Sequence, residues 1–479
     1  MSPRGIPFFC CLVVLLGCQV PNPGIAPVPA TLNFPIAVGL TAPADVNHPS
    51  NFLLVVNANY DARYNQGTIL SLDMREIMRR FDSVRTNGRF PQPGSANPAC
   101  TNPAAWDNPN IECQIGEALD VMAPGTDVNH TGAEVWIDSF AASIVLSPQG
   151  DRFYIPTRGT ADLTWIDIDT TTGAIGCEQA DGSFRCSAHR RTTLVDTCGD
   201  RDLTMTGDPN ALTVVRLDSI TGDPQDANRD AIVMFQRNGH ATLFLDHTST
   251  GALGREPWRT HVLTGLPPDT INAELEPSSG LSWLDTSSPV SSRATRSLSR
   301  VGIFIDPSHR ECSEVFAAPS VFLDGLATGF DTRDTAFGTG DNTRYAYVLS
   351  RSPESIITID QNGTPFIPGN AAIVDVDDVG FGPSRMRRFT MDGRDFLLVS
   401  CFDGGNVWAF RTQPTEVASV VPGFDGAYEM VIDEQRQLAI VADFKTSVIR
   451  FIDLSPLLIG RNAVVLGRVG TPRTHVGFP

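Results

Sequence analysis

The stretch Ala231-Ile-Val-Met-Phe-Gln-Arg-Asn-Gly-His-Ala-Thr-Leu-Phe-Leu-Asp246 consists of an apolar run, a short polar turn, a second apolar run and a terminal aspartate. It recurs. Residues 345–360, 396–411 and 438–453 have the same layout at the same spacing, with Arg411 in the terminal place of one copy. Residues 52–73 fit with extra residues in the turn, and residues 153–167 fit with small adjustment. The runs are short, rich in β-branched and aromatic side chains, and bounded by Gly, Asn, Asp and Ser, which is the composition of strands joined in hairpins. Helical periodicity is confined to residues 73–81.

Upstream of several copies lies a further strand introduced by Gly or Phe: Gly382-Pro-Ser-Arg-Met386, Gly426-Ala-Tyr-Glu-Met430, Phe140-Ala-Ala-Ser-Ile144 and Gly280-Leu-Ser-Trp-Leu284. Each repeat is thus three or four antiparallel strands, a unit that alone leaves an apolar face and an edge exposed. Radial stacking of such sheets covers both. The expectation is an all-β chain: a β-propeller of about seven blades over residues 31–479, with disulfide-braced loop insertions at 74–134 and 170–210. The copy between residues 281 and 324 departs most, because Val301-Gly-Ile-Phe-Ile-Asp306 has no clear neighbour. Ring closure is expected where the first strand, near 31–38, pairs with the last blade near 463–469.

The run Ser147-Pro-Gln-Gly-Asp-Arg-Phe-Tyr-Ile-Pro156 and the run Val441-Ala-Asp-Phe-Lys-Thr-Ser-Val-Ile-Arg-Phe-Ile-Asp453 resemble seven-bladed propellers of the YncE and YVTN-repeat type, a group that includes lactonase-like propellers. The resemblance is one of fold pattern and reaches from Leu32 to Pro479.

The N-terminus carries Arg4, an apolar run over residues 6–16, and then Leu15-Leu16-Gly17-Cys18 before Gln19-Val20-Pro21. The run is shorter than the roughly 20 apolar residues a bilayer span needs, so residues 1–17 read as a signal peptide. Leu-Leu-Gly-Cys resembles the lipobox of bacterial lipoproteins, which implies that Cys18 is lipidated, with palmitate-type acyl chains holding the protein to the membrane. Residues 18–30 follow as anchor and tether, with Pro21, Pro23, Pro27 and Pro29 favouring an extended chain. Gln19 in place of Asp favours the outer membrane of the bacterial envelope.

The formal charge is −18 with a single lysine, Lys445, and no basic run longer than two residues. Such a chain lacks the footprint of phosphate binding, so nucleic acid is not an expected partner. Seven of the ten cysteines lie beyond Cys18. In an oxidising compartment Cys100 with Cys113, and Cys177 with Cys186, are expected to bridge; Cys198 and Cys312 could pair over a long range, and Cys401 reads as a buried thiol within a strand. The spacings fit no zinc or haem pattern.

Propeller ligands usually sit over the central channel. Arg385 and Glu429 begin two adjacent inner strands, with Arg387 or Arg388 nearby. Such a set could hold a polar ligand, or fix neighbouring blades to each other. Asp226-Ala-Asn228-Arg-Asp230 places oxygen donors at alternate positions, a weak calcium pattern, but it lacks the Gly and the distal Glu of an EF-hand and is better explained as a solvated acidic turn. Asp375, Asp377 and Asp378, and Asp331 with Asp334, are similar. No other cofactor is implied, and no Gly-x-Ser-x-Gly, His-Glu-x-x-His or phosphate loop is present. Three functions compete: a non-enzymatic scaffold at the surface or periplasmic face, binding an envelope protein or glycan; a lactonase-like hydrolase using Glu429 and Arg385 at the funnel; and a quinone-dependent dehydrogenase, for which no cofactor residues are recognisable.

Overall fold

The computed structural model describes residues 25–29, 31–43, 49–82, 134–178, 184–186, 190, 198–199, 203, 207–247, 256–276, 281–286, 297–324, 331–361, 370–412, 414–470 and 472. The expected signal segment, Cys18, Cys100 and Cys113 lie outside them.

The repeated stretch is the central hairpin of a four-stranded sheet. Residues 231–246 fall on β10 (Asp230–Gln236) and β11 (His240–His247), paired so that Ala231 faces Leu245 and Gln236 faces His240. The other copies form β2 (Phe52–Asn57) with β3 (Gly67–Asp73), β6 (Arg152–Thr157) with β7 (Asp162–Ile168), β18 (Tyr345–Arg351) with β19 (Glu354–Asp360), β22 (Arg394–Cys401) with β23 (Asn406–Thr412), and β26 (Leu438–Asp443) with β27 (Val448–Asp453). Every residue of β2, β6, β10, β26 and β27 is buried. Sheets are packed against both of their faces, and that is why the sequence shows continuous apolar runs instead of alternation.

The aspartate that ends the repeat in five of its copies sits at or near the lower end of the third strand, where Asp73 and Asp453 organise the turn beyond it and the others bond neighbouring groups. Asp73 accepts the amides of Arg75 (2.8 Å) and Glu76 (3.4 Å) and so opens helix α1 (Met74–Asp82). Asp453 accepts the amide of Ser455 (3.0 Å) at the next turn. Asp360 pairs with Arg344 (3.1 Å), and Asp167 with Arg152 (2.6 Å).

The first strands of the sheets are β1 (Pro35–Leu40), β5 (Val145–Leu146), β9 (Pro209–Arg216), β13 (Thr270–Leu275), β17 (Thr332–Phe337), β21 (Pro383–Met391) and β25 (Ala427–Asp433). Each packs against the next, and β25 packs against β1. Seven four-stranded sheets closing on one axis make a seven-bladed β-propeller.

Two expectations about its construction are corrected. The ring does not close by sharing a sheet: β1 pairs with β2, and the last strand, β28 (Val464–Val469), pairs with β27. Each terminal blade is encoded whole, and closure is by packing of Leu53, Val55, Leu70 and Leu72 against Ile440, Ala442, Ile449 and Phe451. Two hydrogen bonds fix the seam, from the Phe34 amide to Ser447 Oγ (3.0 Å) and from Arg436 to the Ser50 carbonyl (2.8 Å). The second correction concerns the divergent blade. Residues 282–286 are its second strand, β14 (Ser282–Thr286), and the inner strand is β13, whose sequence Thr-Ile-Asn-Ala-Glu-Leu carries polar side chains toward the axis and so lacks the apolar signature. Its outer strand, β16 (Glu314–Asp324), pairs in parallel with β20 (Asn370–Asp378) of the next blade at Phe322–Asn370, Leu323–Ala371 and Asp324–Ala372, joining the two blades into one sheet.

Cys177 and Cys186 are bonded, as are Cys198 and Cys312. The second bond joins the insertion after the second blade to the lower loop of the fourth. Arg185 in the same insertion bridges Trp136 on the outer strand of the first blade, so the inserted segment ties blades that are not adjacent in the ring. Cys401 is a buried free thiol, and burial pushes its pKa up to about 12. Among the described residues no helix is long and apolar enough to cross a membrane.

The Cys198–Cys312 bond closes a separation of 114 residues, so Cys198→Ser should lower unfolding free energy by about 2–5 kcal/mol, measured by urea denaturation of the oxidised proteins; an unchanged midpoint would show that the bond does not restrain the unfolded chain.

Candidate functional site

The inner strands of the last four blades carry polar side chains on the face that meets the axial channel. On β21 these are Arg385 and Arg387, on β25 Glu429, on β17 Asp334, and on β13 Asn272 and Glu274. Arg385 Nε donates to Glu429 Oε2 (3.0 Å) and Nη2 to the Tyr428 hydroxyl (3.2 Å), with the guanidinium 5.0 Å from the Tyr428 ring centre. Arg387 donates to the other oxygen of Glu429 (2.5 Å) and to Asp334 Oδ2 (2.8 Å). Asp334 also accepts from the Met386 amide (2.8 Å) and from Asn272 Nδ2 (2.6 Å). The series Asn272, Asp334, Arg387, Glu429, Arg385 therefore crosses the inner strands of four consecutive blades.

The two arginines and the glutamate picked from the sequence are thus brought together, and their donors and acceptors bind one another across blade seams. Arg388 points elsewhere, to Thr339 Oγ1 (2.8 Å) and Asp395 (3.1 Å). Burial alone would raise the Glu429 pKa, but Arg387 and Arg385 outweigh it and hold the carboxyl below its ordinary value.

Glu274, Asp334 and Asn272 were missed as axial residues. Glu274 lies deep in the ring yet is partly solvent-exposed, as a side chain facing a narrow channel must be. Burial, then the like charge of Asp334, push its carboxyl up to about 7, with Arg387 opposing. The available signal was the alternation of Asn272 and Glu274 with Ile271, Ala273 and Leu275.

The upper face, where inner strands begin and second strands turn into third, carries a cluster of aromatic rings. Phe444 lies 5.2 Å from Phe34, 5.5 Å from Tyr60, 6.1 Å from Phe402 and 6.2 Å from Tyr428, centre to centre. Lys445 Nζ stands 4.6 Å from the Phe402 ring. The close fit requires glycine at 426: its φ is 92°, and a Cβ there would meet Lys445 Cγ at 2.9 Å. Tyr60 is 50% exposed and nearby Phe381 65%.

The calcium pattern does not assemble. Asp226 accepts from Thr221 Oγ1 (2.8 Å) and pairs with Arg310 (2.6 Å), whereas Asp230 accepts from Ser147 Oγ (2.5 Å) and Tyr154 Oη (2.9 Å) of the neighbouring blade. Among the described residues no three His, Cys, Asp or Glu side chains are grouped to hold an ion. Asp331 pairs with Arg333 (2.9 Å).

No family model and no curated protein matches the chain. Solved structures do. A Bacteroides uniformis protein provisionally assigned as a 6-phosphogluconolactonase is 12% identical over 81% of this chain and 85% of its own, with TM-score 0.47. A Bacteroides fragilis protein with the same provisional assignment is 15% identical over 67% and 83%, with TM-score 0.45. A Lactobacillus plantarum protein is 9% identical over 84% and 89%, with TM-score 0.48.

Breaking a buried charge network from one side leaves the partner unpaired. Asp334→Ala should cost about 3–5 kcal/mol of stability, read from urea denaturation; a loss under about 1 kcal/mol would mean that Arg387 finds water in the channel. Glu274 binds its proton more tightly folded than unfolded, so its contribution to stability declines as pH rises from its ordinary 4.5 through about 7. Glu274→Gln should therefore stabilise the protein by about 1–2 kcal/mol at pH 8 and by little at pH 5, a difference that thermal unfolding at the two pH values would reveal.

Proposed function

We propose that this chain is a non-enzymatic binding propeller, tethered to the bacterial envelope through acylated Cys18, that holds a protein or glycan partner on its upper face. The observation that supports this most directly is the aromatic cluster on the upper face, with Tyr60 half exposed at its edge, Lys445 over the Phe402 ring, and Phe381, 65% exposed, bonded to the turn that carries Phe402. Large rings with one polar or cationic edge supply contact area at little conformational cost and dominate recognition surfaces. The axial charges below are bound to one another, which suits a rigid ring more than a free catalytic base.

The tether enters on the same side. Ile25 bridges Tyr64, and the Asn65 amide donates to the Ile25 carbonyl (3.0 Å), so the chain coming from Cys18 meets the body beside the aromatic cluster. A partner seated there would lie near the membrane surface, and outer-membrane placement is part of the same reading. Full-length protein should capture a stoichiometric envelope component from solubilised native membranes, and Tyr60→Ser with Phe381→Ser should abolish capture at unchanged thermal stability. Capture that survives the double change would overturn the assignment of this face. Cys18→Ala should release the protein from the membrane fraction.

A second reading, a lactonase-like hydrolase in the funnel, is favoured by one observation. Glu274 is a channel-facing carboxyl raised to about 7 beside Arg387, the protonation range a general acid or base needs near neutrality. Glu429, lowered by two arginines, suits that role less well. Turnover of a lactone panel, lost in Glu274→Gln, would replace the scaffold reading.

A further inference from the structure

The two disulfides among the described residues have different surroundings. Cys177 and Cys186 are 0% and 6% exposed and belong to the apolar core between the first two blades, with Val135, Ile137, Ile166 and Ile175. Cys198 and Cys312 are both partly exposed. Gly199, beside the first, is exposed with open space around it, and the His309 side chain, three residues before the second, is 67% exposed. The third blade stands between these cysteines in the ring, so their bond bypasses it and ties the segment after the second blade to the lower turn of the fourth, Arg310–Cys312. Arg310 of that turn donates to Asp226 Oδ2 (2.6 Å) in the lower loop of the third blade, residues 217–229, where Asp226 also accepts from Thr221 Oγ1 (2.8 Å). Bond and ion pair together make one clasp on the lower loops.

Thiol–disulfide exchange requires a thiolate to reach one sulfur and the other sulfur to leave as a thiolate. The Cys177–Cys186 bond meets neither condition, since core side chains cover it and a thiolate released among isoleucines has no water to solvate it. The same kind of burial pushes the Cys401 thiol up to about 12, which takes it out of exchange at neutral pH. At Cys198–Cys312 solvent reaches both residues, so a reductant approaches from outside the fold and the departing thiolate is hydrated. Neither cysteine belongs to the buried apolar core. Opening this bond therefore uncovers no blade.

We propose that Cys198–Cys312 is a redox-sensitive clasp, opened in the folded protein by a dithiol. One thiolate of the dithiol attacks a cysteine sulfur, the S–S bond breaks, and the other cysteine leaves as a thiolate that takes up a proton. The second thiol then displaces the first cysteine, so the dithiol ends as a cyclic disulfide and the protein holds two thiols, a two-electron reduction. The Arg310–Asp226 pair, its arginine partly exposed, is then left to hold the lower loop of the third blade alone, and residues 217–229 and 306–315 loosen while the strands keep their register. The full-length oxidised protein would be titrated with dithiothreitol without denaturant, alkylated, and mapped by mass spectrometry. Cys198 and Cys312 should be alkylated at a concentration about tenfold or more below that needed for Cys177 and Cys186. Amide exchange over 217–229 and 306–315 should rise about fivefold or more, with β10 keeping its protection. Alkylation of all four cysteines together, or of none until the ring unfolds, overturns the proposal. Selective reduction with exchange unchanged also overturns it, since the bond is then a passive link. Cys198→Ser combined with Cys312→Ser should show the raised exchange without reductant, and exchange equal to that of the oxidised protein counts against the clasp.

Discussion

A four-stranded sheet whose middle strands are apolar on both faces cannot be covered from one side only. That constraint governs the whole chain. Phe52, Phe153, Phe235, Phe396 and Phe451 are each fully buried, and each contributes on the order of 2 kcal/mol only if a second sheet lies against it. One neighbour per face requires a ring, and the ring must return to its start, because a first or last blade with a bare face would leave Leu53, Val55 and Ile440 in water. Closure here needs no exchanged strand, since the apolar face between the terminal blades is continuous and the polar seam bonds at Phe34 and Arg436 set its register.

Wedge-shaped packing around an axis brings inner strands close, and their second face has no sheet to meet. Polar residues there bind across seams, which is how Arg385, Arg387, Glu429 and Asp334 come to form one bonded series. Buried ion pairs of this kind add little net stability over apolar packing, yet they penalise misalignment heavily. Their consequence is a stiff ring, and stiffness lets the upper loops present aromatic rings in fixed positions.

The central hairpins were legible in the sequence because double-sided burial leaves an unbroken apolar signature between turn residues, and residues 231–246 show it without ambiguity. The inner strands were legible where a glycine introduces them, as at Gly382 and Gly426, and illegible at β13, where channel-facing Asn272 and Glu274 break the apolar pattern. The Arg385–Glu429 pairing followed from matching offsets in two blades. Asp334 could not be placed, because its role depends on the Met386 amide and on Asn272, contacts between blades that no local pattern encodes. The aromatic cluster escaped notice for the same reason: Phe34, Tyr60, Phe402, Tyr428 and Phe444 come from three blades and meet only once the ring closes.

That dispersal bears on where function resides. The axial charges answer what the fold requires, since a polar side chain that one inner strand turns to the channel must be met by its neighbours, as on the last four blades. Nothing in the packing of the blades requires Tyr60 or Phe381 to be exposed. Side chains that work against the economy of folding, exposed on the same face, are better candidates for recognition than the side chains that satisfy it.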